Sequence, residues 1–142
     1  MNKEFNLRKF VIVMLLVSIW VNASEVFRYF VFVMPGTRAF LFQVPGVAPM
    51  NWGIFAVWGT WDTILTIMVV FIYWLVAERF GHGLKSVLIA STASWTFFFV
   101  LFWVAMVNMA LSSVTLPLIA LPLAWLELFV ASLISAKLFA RA

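Results

Sequence analysis

Read from its amino terminus, the chain is a succession of long apolar stretches separated by short polar breaks. The stretches run from about Phe10 to Met34, Trp52 to Val76, Ser86 to Met109 and Thr115 to Leu138. Each holds about 25 residues, where roughly 20 apolar residues span the hydrocarbon core of a bilayer; the surplus leaves room for tilt. Within each stretch the apolar residues run on without strict alternation, which argues for helices and against the strands of a membrane barrel. The pattern predicts an all-α integral membrane four-helix bundle, a single transmembrane domain over residues 1–142.

The breaks carry the turn chemistry. Pro35-Gly36, Pro45-Gly46 and Pro49 mark residues 35–51 as an extracytoplasmic loop of successive turns. Inside it, Thr37 to Val44 carries Phe40, Leu41 and Phe42 and reads as a short interfacial segment lying on the bilayer surface. Gly81-His82-Gly83 forms a hinge between the second and third stretches, and Leu111 to Ser113 is short enough only for a tight helical hairpin. The first stretch also has the form of a signal peptide, with Val21-Asn22-Ala23 as a passable cleavage site. The apolar run resumes at Val26, however, and this predicts a retained helix. Pro117 reads as a first-turn proline, whereas Pro122 lies mid-helix, where a proline either kinks the axis and frees a carbonyl beside Glu127 or is simply tolerated in a membrane helix.

Composition supports lipid as the solvent. Of 142 residues, 66% are hydrophobic and 10% charged, against about 45–50% apolar and about 25% charged in an ordinary soluble domain. The formal net charge of +4 does not form a nucleic-acid patch, because the basic residues flank the apolar runs. Lys3, Arg8 and Lys9 precede the first, Arg79 and Lys85 lie in the second break, and Lys137 and Arg141 close the chain, while the first break has only Arg38 and the third none. The positive-inside rule then places both termini on the cytoplasmic side of a cell membrane, the inner membrane if the source is bacterial. With no Cys and one His, thiolate chemistry and a multi-histidine metal or haem site are excluded within one chain; no metal and no cofactor are expected.

Four charges fall inside the predicted spans: Glu25 and Arg28 in the first, Asp62 in the second and Glu127 in the fourth. Each costs about 2.5–3.5 kcal/mol near the bilayer centre, so all should face protein. Small and polar residues recur on their faces: Ser18, Asn22, Glu25 and Tyr29; Gly59, Asp62, Thr66 and Tyr73; Ser91, Ser94, Ala105 and Asn108; Ala124, Glu127, Ala131 and Ser135. Such stripes allow close helix packing in lipid. At about 1.5 Å of rise per residue the three acids fall within a layer roughly 6 Å thick. One guanidinium cannot neutralise three carboxylates, so a carboxyl is expected to keep its proton or a cation to be bound.

Eight Trp and sixteen Phe complete the picture. Trp52, Trp74 and Trp103 fit an interfacial belt; Trp20, Trp58, Trp61, Trp95 and Trp125 lie deeper and serve as packing or as walls of a pocket. Phe97-Phe98-Phe99 covers nearly a full turn and should in part meet lipid or a partner subunit. No phosphate loop, nucleophile elbow or metalloprotease motif is present, which weighs against an enzyme, and His82 between glycines reads as a hinge residue. Three functional readings follow. In the first, a non-catalytic membrane protein handles protons, small cations or an amphipathic ligand with Glu25, Arg28, Asp62 and Glu127, walled by Asn22, Trp58, Trp61, Thr66 and Trp125. In the second, the same charges pin together a structural or accessory subunit of a larger membrane complex. In the third, Asp62 or Glu127 is the acid or base of an enzyme acting on a lipid. The expected partners are the lipid bilayer and a homo-oligomer or larger complex, with no nucleic acid.

Overall fold

The structure, a computed structural model, describes residues 5–141; Lys3 of the basic amino-terminal flank lies outside them. The described chain is all-helical, and four of its helices are long and apolar enough to cross a membrane: α1 (Leu7–Phe40), α2 (Trp52–Phe80), α3 (Leu84–Asn108) and α4 (Thr115–Ala140). Local chemistry sets their ends. The side chains of Asn6 and Asn51 accept hydrogen bonds from the Lys9 and Ile54 backbone N–H groups at 2.9 and 3.0 Å, capping α1 and α2. Gly81, with φ +78°, ends α2 in a conformation other residues adopt at a cost. At the end of α3, Ala110 takes the left-handed position of a Schellman turn (φ +55°), with Leu111 and Ala110 donating to the Met106 and Val107 carbonyls.

Helix α1 is longer than the sequence suggests. Pro35-Gly36 reads as a break, yet the helix continues through it to Phe40. The accommodation is a π-helical turn over Tyr29–Val33, in which the Met34 N–H donates to the Tyr29 carbonyl five residues back. Pro35 has no N–H to give and its ring would clash with the carbonyl four residues earlier; one extra residue in the turn before it lets the helix widen there. Gly36 permits close approach to α4, since a Cβ at this position would lie 2.9 Å from the Leu116 side chain. A second π-helical turn, Thr96–Val100, interrupts α3.

The core lies along the axis. Val13, Val17 and Val21 of α1 meet Leu65, Val69 and Val70 of α2 and Leu128 and Ala131 of α4. The α3–α4 seam is built from small residues, Ser86, Ala90, Ser91 and Ser94 against Ala120, Ala124, Ser132 and Ala136, all buried. An indole N–H fastens it, Trp95 donating to the Leu121 carbonyl at 2.8 Å, and another, from Trp20 of α1 to the Glu127 carbonyl at 2.9 Å, fastens α1 to α4. Trp103 is buried beside Leu116 and Ala120.

The two ends of the bundle differ. At the end that holds Asn6 and Arg141, Lys9 Nζ donates to the Phe139 and Arg141 carbonyls at 2.8 and 2.7 Å, and Tyr73, His82 and Phe139 form a cluster of three near-parallel rings. Arg8, Lys9, Arg79, Lys85, Lys137 and Arg141 all lie in the helical turns and loop at this end, against Arg38 alone at the other among the described residues. Towards the other end α2 packs along Leu84–Trp95 of α3 but not closely along the remainder of that helix, and the gap is a cleft.

Candidate functional site

Arg28 ends the regular part of α1 immediately before its π-helical turn. Its guanidinium pairs with Glu25 one turn earlier on the same helix and, through Nη1, with Glu127 Oε2 of α4 at 3.2 Å. The guanidinium carbon also lies 4.6 Å from the centroid of the Phe99 ring, which belongs to the π-helical turn of α3. One side chain therefore ties three helices together. The pairing is buried, with Arg28 5% and Glu127 1% exposed. Removing both charges from water is repaid only by such multiple contacts. Among the described residues Glu127 Oε1 has no partner within hydrogen-bond geometry, although the Ser24 and Glu25 side chains lie close enough to act on that carboxyl.

Two cavities adjoin the cluster. The larger, about 480 Å³, lies between α1, α2 and α3 at the end away from the termini. Glu25, Arg28 and Tyr29 give it a polar base. Trp58 and Trp61 of α2 form one wall, and Phe98, Phe99, Phe102, Trp103 and Met106 of α3 the opposite one. The smaller, about 80 Å³, lies between α1 and α2 and is lined by Asn22, Glu25 and Asp62 among apolar neighbours. Glu25, Tyr29 and Trp58 line both cavities and form the partition between them.

The residues singled out from sequence distribute unevenly over this arrangement. Glu25, Arg28 and Glu127 are in direct contact. Asp62 shares the smaller cavity with Glu25 and Asn22. Trp58 and Trp61 stand on the cleft wall. Thr66 is buried elsewhere, its hydroxyl donating to the Asp62 backbone carbonyl at 2.7 Å. Trp125 points to the α3 seam, where its ring stacks on Phe129 and its N–H donates to Thr92 Oγ1 at 3.2 Å. Pro122 sits exposed on α4 and lines neither cavity. Sequence reasoning did not single out Tyr29 as a wall or the α3 aromatics as a set. Their spacing, Phe99, Phe102, Trp103 and Met106, follows one helical face, but in a helix apolar on every side nothing polar marks that face as different.

Among the described residues no group of His, Asp and Glu is placed to hold a metal ion. What the arrangement offers is charge recognition and proton exchange beneath an apolar, aromatic cleft. The chain matches no family model, no curated protein and no solved structure.

Proposed function

We propose that this chain is a small multi-pass membrane protein with both termini cytoplasmic, and that Glu25, Arg28, Asp62 and Glu127 serve the cleft above them by exchanging protons and recognising the polar end of an amphipathic ligand. The observation that carries this reading is that Glu25 and Arg28 form the base of a cavity of about 480 Å³ whose walls are otherwise largely aromatic. A site with apolar walls and few convergent polar groups is the usual form of a small-molecule pocket, and ionised groups inside a membrane span generally mark a substrate or proton path. Counting charge makes exchange plausible in kind. The Glu25–Arg28–Glu127 cluster carries one net negative charge when both carboxyls are ionised, and a single proton neutralises it. The six basic residues at the terminal end, against Arg38 at the other, support the cytoplasmic placement of both termini.

The test is flux in liposomes loaded with a pH-sensitive dye. Asp62→Asn and Glu127→Gln are expected to abolish pH-dependent proton movement while leaving expression and helicity intact. Wild-type behaviour of both variants overturns the reading.

A second reading has its own observation. Arg28 contacts Glu25, Glu127 and Phe99 at once, which suits a structural subunit whose charges hold α1, α3 and α4 in register for assembly. On this reading the same variants disturb association, and purification in mild detergent recovers a companion chain that is lost with Glu127→Gln.

A further inference from the structure

The two cavities differ in charge, and the difference names a ligand class. The larger contains Arg28, already paired with Glu25 and Glu127 and packed on Phe99. The smaller contains no Lys or Arg. It holds Glu25, Asp62 and the Asn22 amide, one of whose two N–H groups is spent on the Ser18 carbonyl at 2.8 Å. The Asp62 side chain is 6% exposed. Among the described residues it has neither an ion pair nor a hydrogen bond to its carboxyl oxygens, and what remains exposed opens into this cavity. A buried acid without a partner is costly, and the one cation near Asp62, Arg28, is already paired with Glu25 and Glu127.

Size narrows the class further. About 80 Å³ accommodates a few waters or a compact ammonium group. Its boundary with the larger cleft consists of Glu25, Tyr29 and Trp58, two rings beside a carboxyl, against which an ammonium can rest. Building on the function proposed above, we infer that the ligand is a lipophilic amine, its apolar body lying between Trp61 and Phe102 in the cleft and its ammonium between Glu25 and Asp62. An amphipathic acid would instead have to displace a carboxylate from Arg28.

The experiment uses the full chain in phosphatidylcholine nanodiscs and follows fluorine NMR of three matched probes: 4-(trifluoromethyl)phenethylamine, the corresponding alcohol and the corresponding carboxylate. Empty nanodiscs give the partitioning baseline. The amine is expected to bind about tenfold more tightly than the alcohol, one charge-assisted contact's worth, with the carboxylate weakest. Asp62→Asn should remove that advantage and leave alcohol binding unchanged. Trp58→Ala, at a half-exposed position, should weaken amine and alcohol alike, and it keeps the test available if Asp62→Asn fails to fold. Carboxylate binding as tight as that of the amine, or amine binding indifferent to Asp62→Asn, overturns the inference while the proposed function stands. Absence of binding by all three probes overturns the inference as well, and if proton flux is also unaffected by Asp62→Asn and Glu127→Gln, the proposed function falls with it.

Discussion

The two ends of the bundle are built from different kinds of residue and behave as different materials. Towards the termini, β-branched and small side chains interlock, Lys9 satisfies carbonyls at the end of α4, and the Tyr73–His82–Phe139 cluster closes the bundle. Towards the other end, large aromatics on α2 and α3 face one another across a cleft, and both π-helical turns border it. Arg28 sits where one regime gives way to the other. The difference teaches that aromatic bulk does not by itself fill a membrane bundle. Valine, alanine and serine let backbones approach, whereas rings on a splayed helix pair hold space open.

The contrast is broken most severely at its seam. Arg28→Leu leaves Glu127 buried without its partner and is expected to cost about 3–5 kcal/mol, read as a large fall in Tm in detergent. Pairing it with Glu127→Leu should recover much of that loss, because an apolar replacement of the whole pair removes the stranded charge. A double variant no more stable than the single one would show that the charges do more than offset each other.

The next test compares the ends directly. Leu128→Ala, in the closed region, opens a cavity among Val17, Val21 and Val69 and is expected to cost about 2 kcal/mol, the low end for such truncations because lipid supplies no aqueous driving force. Phe102→Ala, on the cleft wall, removes a side chain that is already half exposed and should cost under about 1 kcal/mol. Equal losses would mean that the cleft wall is packed as tightly as the core. The smallest effect sharpens the open end: Ala110→Gly relieves the left-handed strain in the α3 Schellman turn and should stabilise by about 0.5–1 kcal/mol in a chemical denaturation series.

Much of the helical plan was legible because the apolar runs are long and their interruptions polar. The four long helices fall close to the four runs, and the second and fourth begin at Trp52 and Thr115, as read from sequence. The extension of α1 to Phe40 was not legible, since Pro35-Gly36 signals a stop and nothing local announces a π-helical turn that absorbs it. Among the charges, the spacing of Glu25 and Arg28 by one turn gave their contact directly, while Glu127 joins them only through tertiary packing. Thr66 shared a helical face with Asp62 on paper, yet its hydroxyl is spent within its own helix, and Trp125, two residues before Glu127 in the chain and so on another side of the helix, went to the α3 seam.

The π-helical turn of α3 has a bearing on the cleft that reaches past local geometry. Such a turn holds one residue more than the α-spiral needs, and a residue is worth about 100° of rotation about the helix axis. Phe102, Trp103 and Met106 all follow it in the chain. Their direction is thus set by an angular offset introduced upstream: reverting Thr96–Val100 to regular winding, by shortening it or by migration of the bulge, would swing all three aside together, like a dial turned one notch.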